Sequence, residues 1–509
     1  MSERRGRSRS KAVENKPVRK VDYRNLRNPF IPQPAFSEDE VENIHRNSLR
    51  VLEELGMKVL LPEAREIFAK AGAIVDEDTQ MVKVGAEIVE AAIETAPSSI
   101  KTFGGKPQND HVMELGALTF MAGAGCPHAS DRERGRRPGT AQDFRELMTL
   151  EDSFDAIAML GPAVEPQDVP VHIRHYETMR TQLQVSDKLP FIFCRGSEQT
   201  EDSFQMLATV RGVSREEFED KCWTKTIINT NSPRQLDIPM GQGIIDFARA
   251  KQLCVITPFC LSGAMAPITV AGGLMLQHAE ALFGITLSQL TREGAPVMYG
   301  SFASNVDMKS GAPAFGTPEH AKSTLGAGQL ARRIGLPWRS GGGSAGNCND
   351  AQAAHETEMA AWSSVLAGCT MIVHSAGWLE GGLTFNYEKM VTDMEMIQQF
   401  AELCVGPKGD EAAIAFDAIA QIEPGGHFFA AEHTMERYRT EFYEPLVADW
   451  SNFGSWTEAG SKTADERATA IWKRQLEEHV PPKHDRAVME TLDAFIAKRT
   501  EEGGAHPVG

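Results

Sequence analysis

One alternation constrains this chain more than any other feature, and it runs from about residue 118 to residue 377. Short apolar runs recur with helical stretches between them. They are LTFMA (118–122), AIAMLGPAV (156–164), PFIFC (190–194), TKTIINT (224–230), CVITPFC (254–260), PVMYG (296–300), PWRSG (337–341) and TMIVHSAG (370–377). The stretches between them carry helix-start chemistry. Thr140 and Asp143 have the spacing of a capping box, and so do Asn349 and Gln352. Thr317-Pro318-Glu319 supplies a cap, a proline at the first helical position and an acid in the first turn. Strands alternating with helices in this way predict an α/β fold, a (β/α)8 TIM barrel spanning residues 117–404. A doubly wound open sheet is the competing arrangement, but no GxGxxG opens a first helix.

The flanks read differently. Ser37 is placed to cap a helix whose Val41, Ile44 and Leu49 share one face, and Gly56 stops it. Together with a β-hairpin in SIKTFGGKPQNDHVMEL, these helices make residues 36–116 an N-terminal segment. Residues 405–509 return to polar helices, a C-terminal helical extension that caps the fold or forms an oligomer arm. Residues 1–35 begin with the basic stretch MSERRGRSRSKAVENKPVRK and are expected to be a disordered tail. No apolar h-region follows it, which argues against a secretory signal. A chain of 509 residues suits one large enzyme fold with such additions.

Charge and cysteine usage exclude several classes of function. The formal net charge of −18 argues against nucleic-acid binding, which needs clustered Lys and Arg. The 8 cysteines are scattered, with no CxxC and no His/Cys cluster, so no metal site is expected. Reduced thiols of this kind suit a cytoplasmic enzyme. No run of 18 apolar residues predicts a membrane span. One segment, TVAGGLMLQHAEALFGITLSQL (269–290), is apolar on nearly every side. It must be buried on more than one face, either as a packed barrel helix or at an interface between copies of the chain.

In a barrel the reacting groups gather at the carboxyl ends of the strands. The candidates there are Phe259, Tyr299, Phe302, Phe315 and Trp378 among the aromatics, with Asp307, Asn347, His374 and Glu380 among the polar residues. Aromatic faces attract quaternary ammonium groups through their negative quadrupole, so a ring of such residues suits an N-methylated cation. The same rings could instead cap the barrel core. The glycine run of SGGGSAGNCND (340–350) lies on the loop after the seventh strand, and Arg339 is the nearest cation. A P-loop would need GK followed by Ser or Thr. The alternatives are a phosphate site, a wall against an uncharged part of a substrate, or a structural turn. No Ser/His/Asp order and no paired carboxylates stand out, so the site is one that positions a substrate.

Three of these stretches also resemble the trimethylamine methyltransferase family: APVMYGSFASNVDMKSGAPAFGTPEH, NDAQAAHETEMAAWSSVLAGCTMIVHSAGWLEGGL and RRPGTAQDF. The similarity covers about residues 35–490. It implies a (β/α)8 barrel that moves a methyl group from a methylated amine to the Co(I) of cobalamin on a separate corrinoid protein, with no tightly bound cofactor of its own. The founding enzymes carry pyrrolysine near the position where this chain reads SAGNCND, and this chain has only standard residues there. Relatives without pyrrolysine resemble glycine betaine methyltransferases, which turns the expectation toward betaine-type quaternary amines. Phe259, Tyr299, Phe302, Phe315 and Trp378 would hold the ammonium, and Asn347 and His374 would orient the carboxylate. Asp307 and Glu380 would fix those groups or balance the charge. The alternatives are transfer to tetrahydrofolate, a quaternary-amine binding protein without turnover, and a barrel lyase or hydrolase acting on a phosphorylated substrate. A homo-oligomer is expected.

Overall fold

Strand formation follows the apolar runs. In the computed structural model, which describes residues 21–508, parallel strands lie at Ala117–Met121, Ile157–Met159, Lys225–Ile228, Leu253–Ile256, Val297–Gly300, Trp338–Gly341 and Met371–Val373. From Lys225–Ile228 onward each strand pairs in parallel with the next. Met371–Val373 then pairs in parallel with Ala117–Met121, which also pairs with Ile157–Met159. The run PFIFC contributes a single parallel bridge, Phe191 to Lys225, and Leu189 just before it contributes one more, to Met159. Pro190 sits between them and has no N–H to give to a ladder. The whole is a mixed α/β fold, with helices between successive strands.

Strand period sorts the side chains into two clusters. Met121, Met159, Leu253, Val255, Met298, Met371 and Val373 pack with Leu189 and Phe191 in one buried group. Their strand neighbours Phe120, Ile157, Cys254, Ile256, Tyr299 and Ile372 pack on the other side, in the larger core that includes the helices. The hairpin Ser99–Thr102/His111–Glu114 joins the first group through Ile100 and Met113. It covers the amino ends of the strands. Phe103 N–H donates to Cys222 O at 2.8 Å, and Thr370 Oγ1, just before the last strand, donates to Glu114 O at 3.2 Å. The carboxyl ends lead into the loops that carry the candidate residues.

The apolar helix Val270–Thr291 is the one helix among the described residues long and apolar enough to cross a membrane, yet most of it is buried inside the fold. Helices Glu38–Arg50, Pro62–Lys70 and Ala86–Thr95 of the N-terminal segment pack on it, so neighbouring helices within one chain cover its extra faces. Its polar residues do structural work. Glu280 accepts from Thr230 Oγ1 and Ser232 Oγ at 2.6 Å each and from Arg234 N–H at 2.8 Å, fixing the chain after Ile228. His278 lies 2.9 Å from His45 of the first helix.

Burial pushes the His45 pKa from the ordinary 6.5 down to about 4. Below pH 6.5 the unfolded chain takes a proton that the folded one refuses. This contribution to stability is therefore present above pH 6.5 and is lost as pH falls toward 4. About 2 kcal/mol should be gone by pH 5. His45→Leu should flatten the slope of unfolding free energy against pH in that window; equal slopes in the two proteins would refute the assignment.

The amino end departs from its expected boundary. The tail expected through residue 35 is shorter in its described part: Leu26 is buried, and Leu26–Arg27 pair antiparallel with Ala117–Met121. Residues 1–20 lie outside the described residues. At the other end, Ala464–Glu478 packs on Tyr387–Cys404 and Arg486–Glu501 on Ser197–Arg211. In the stretch 405–463, Phe416, Phe429, Phe442, Trp450 and Phe453 are exposed.

Candidate active site

The glycine run has its explanation in what lies against it. A Cβ on Gly341 would stand 2.5 Å from Phe302 Cε2, and one on Gly343 would stand 2.2 Å from Trp378 Cε3. Gly343 also has φ +93, a conformation that side chains resist. Glycine is required because two aromatic rings rest directly on this backbone. The next residues are clamped. The Glu356 carboxylate accepts from Ser344 Oγ at 2.6 Å, Ala345 N–H at 2.9 Å and Gly346 N–H at 3.1 Å. Those N–H groups already face a fixed anion, which argues against a phosphate cradle. The helix that follows is capped by Asp350, which accepts from Gln352 and Ala353 N–H. Asn349, expected to be that cap, instead donates to Asp465 at 2.8 Å.

The rings form one cluster at the strand ends. Centroids lie 5.1 Å apart for Phe259–Phe302, 5.2 Å for Phe302–Phe315 and 5.8 Å for Phe302–Trp378. Phe315–Trp378 is 5.1 Å, and His374 stacks on Trp378 at 4.6 Å. Phe302, Phe315 and Trp378 are buried, while Phe259 is partly exposed. Phe315 also packs edge-on against His320, so it backs the cluster rather than lining its front.

Tyr299 does not belong to this group. Strand alternation turns Met298 to the inner cluster and Tyr299 to the helices, where its hydroxyl lies 3.1 Å from His278 Nδ1 and donates to Gln277 Oε1 at 3.2 Å. Its expected place in an ammonium cage is therefore corrected.

His374 reaches the cluster by a break in the backbone. Its φ is +61, a left-handed conformation that costs a non-glycine residue on the order of 1 kcal/mol and recurs at functional sites. Ala124 N–H donates to His374 Nδ1 at 3.3 Å, so the neutral ring carries its proton on Nε2. Burial first, and the Arg339 cation second, hold its pKa well below 6.5. The imidazole is neutral at physiological pH.

Arg339 is the residue that sequence reasoning undervalued. It projects from the strand Trp338–Gly341, is 1% exposed, and holds its guanidinium carbon 4.7 Å over the Phe302 ring. Its Nη1 reaches Ser301 O only at 3.5 Å, and its Nε has no partner. Burial lowers its pKa to about 9, still protonated at pH 7. Trp378 Nε1 and Thr257 Oγ1 are likewise buried without partners. The available signal was a lone cation inside an apolar strand run.

The remaining candidates lie elsewhere in the strand-end loops. Asp307 is exposed, and its carboxylate accepts from Ser310 Oγ at 2.6 Å and Ser310 N–H at 3.0 Å, tying its own turn. Glu380 pairs with Arg136 at 2.9 Å and accepts from Thr384 Oγ1 at 2.9 Å; its own N–H donates to Gly346 O, joining the two last loops. Asn347 is exposed. Arg137, Asp131 and Asp143 knit the segment RRPGTAQDF together, with Arg137 donating to Asp131 at 2.9 Å. Among the described residues no His/Cys/Asp/Glu group could hold a metal ion.

Comparison with known proteins bears on this geometry. The family model for trimethylamine methyltransferase (MTTB) matches residues 2–504. The glycine betaine methyltransferase of Desulfitobacterium hafniense strain Y51 is 34% identical over 471 residues, covering 92% of this chain and 98% of the relative. The trimethylamine methyltransferase MttB of D. hafniense strain DCB-2 is 32% identical over 478 residues, covering 92% and 95%. Among solved structures, the monomethylamine methyltransferase MtmB of Methanosarcina barkeri aligns with a TM-score of 0.46 and 9% identity over 92% of this chain and 93% of that one.

Proposed function

The chain belongs to the trimethylamine methyltransferase family, and from that premise we propose that it removes one methyl group from a betaine-type quaternary amine and passes it to the Co(I) of a separate corrinoid protein. The observation that carries the substrate class is the cluster of Phe259, Phe302 and Trp378 at the strand ends, with His374 stacked on Trp378 at 4.6 Å. Aromatic faces hold a methylated ammonium through their quadrupole without hydrogen bonds. We also read the parallel strands as a (β/α)8 barrel. The pairings that run from Ala117–Met121 through the Leu189 and Phe191 bridges and back support that reading.

The chemistry asks little acid–base work of the protein. A quaternary nitrogen leaves as a neutral tertiary amine and takes the C–N electron pair with it. The acceptor, a second substrate, supplies the pair that forms the new bond to the methyl carbon. This chain's residues then bind, orient and exclude water. Neutral His374, with Nε2 as donor, orients the substrate, and Phe259 is the accessible ring at the front of the cluster. Glu356 and Glu380 hold the two loops on which Phe302 and Trp378 rest. Asp307 and Asn347 are left with support of the outer loops. The free thiols, none of them paired, agree with a cytoplasmic setting.

The test is turnover with a reduced corrinoid protein, comparing glycine betaine, carnitine and trimethylamine, with the demethylated product read by mass spectrometry. A betaine should give its dimethyl product, and trimethylamine should lag, since an unactivated tertiary amine would have to leave as an amide anion. Turnover of trimethylamine alone would sink the substrate assignment. Transfer to tetrahydrofolate but to no corrinoid would replace the acceptor. Binding without any transfer would select a binding protein.

A further inference from the structure

We propose that Arg339 is the subsite for the substrate's anionic group, so that the enzyme selects zwitterions whose carboxylate lies a few bonds from the ammonium. The inference rests on the quaternary-amine reading above and narrows it. A guanidinium has five N–H donors in a fork that matches a carboxylate. Here that fork is 1% exposed, makes one contact at 3.5 Å, and leaves Nε unpaired. Among the described residues no Asp or Glu forms an ion pair with it. An isolated buried ion of this kind carries a large desolvation cost, which the Phe302 face under it offsets only in part. The fold therefore keeps a costly cation where an apolar side chain would pack.

Its neighbours suit a ligand rather than an internal partner. Phe302 carries Arg339 over its face and touches the rings of both His374 and Trp378. Two further unpaired donors, Trp378 Nε1 and Thr257 Oγ1, are buried in the same strand-end layer. Gly300 pairs with Arg339 across the sheet, and a Cβ there would stand 2.0 Å from Thr257 Oγ1. A carboxylate docked on the fork would neutralise the buried charge, while the adjacent rings take the ammonium. A cation-only substrate would leave Arg339 uncompensated and add a second positive charge beside it.

Calorimetric titration of three ligands tests this: glycine betaine, tetramethylammonium, and 3,3-dimethylbutyrate, the carboxylate with a neutral tert-butyl group. They are measured on the wild type, Arg339→Met and Arg339→Gln. Wild type should favour betaine over tetramethylammonium, and both variants should lose betaine affinity by at least about 30-fold while binding tetramethylammonium as well or better. Thermal melts of the ligand-free proteins accompany the titrations. Arg339→Met should melt no lower than wild type, because a buried charge with no partner has been replaced by packing. If wild type binds both ammonium compounds and the variants keep the same preference, Arg339 is structural and this proposal fails alone. If wild type binds no ammonium compound, the quaternary-amine reading fails. The butyrate arm then decides Arg339: binding lost in both variants keeps the anion site, and no binding overturns it.

Discussion

Trp378→Ala is expected to destabilise the protein by about 3–5 kcal/mol, the range for emptying a fully packed aromatic site. It should also weaken quaternary-amine binding by about 2- to 30-fold in the fraction that stays folded, the range for losing one cation–π contact. Both effects follow from one geometry. Trp378 is 4% exposed and touches His374, Phe302 and Phe315 with centroids at 4.6, 5.8 and 5.1 Å. Backbone closes on it from the loop of Gly343 and from its own turn at Gly382, where Cβ atoms would lie 2.2 and 2.5 Å from its ring. Backbone on two sides limits how far the site can collapse, so the cavity term should be large. Trp378→Phe separates the two roles. It keeps a π-face, so most of the ammonium affinity should survive even though stability falls. Denaturant melts combined with tetramethylammonium titration check this. An unstable Trp378→Ala that still binds the cation at wild-type strength would show the ring to be packing alone.

The parts of this site that were legible in the sequence, and the parts that were not, divide along physical lines. Strand positions could be read because burial on both faces demands continuous apolar runs, and the cap at Thr140 could be read because its partner Asp143 is three residues away. The cluster of Phe259, Phe302, Phe315, His374 and Trp378 was legible as a set, since strand ends bring such residues together. Tyr299 was misplaced because it ends a strand run as Phe302 does, and only the period of two shows that it faces His278. His374 faces inward through a φ of +61 that no local sequence signal announces. Asp307 and Glu380 lie on strand-end loops, but their carboxylates were claimed by Ser310 and Arg136. Those partners are decided by loop conformation, and for Glu380 by a residue 244 positions away. PFIFC reads as a full strand, yet Pro190 breaks the ladder there, leaving isolated bridges at Leu189 and Phe191 on either side of it.

Support for Trp378 extends through a buried ion pair, and breaking that pair is the second large effect expected. Lys389 and Asp393 stand one helical turn apart, 2.9 Å between Nζ and Oδ1, with the lysine side chain fully buried and the aspartate 5% exposed. Lys389 also donates to Thr357 Oγ1 at 3.0 Å, and the other Asp393 oxygen accepts the Gly377 N–H at 2.9 Å. Gly377 immediately precedes Trp378, so the pair fixes the backbone from which the indole projects. Lys389→Met leaves Asp393 buried without its counter-ion and should cost about 3–5 kcal/mol. Burial already raises the Asp393 pKa and Lys389 pulls it back, so the variant will raise it further. A carboxyl whose folded pKa lies above its unfolded value binds more protons when folded, and its stability falls as pH rises through that window. The deficit of Lys389→Met should therefore shrink as pH is lowered from 7 toward the ordinary carboxylate range. Replacing both residues, as Lys389→Met with Asp393→Leu, should recover part of the loss. It cannot recover all of it, because the Gly377 N–H is then buried without an acceptor, worth about 1–3 kcal/mol. Unfolding free energies of the single and double variants across pH 5–8 would decide the matter. A single variant within 1 kcal/mol of wild type, or a deficit that grows on acidification, would mean that the pair does not hold this end of the site together.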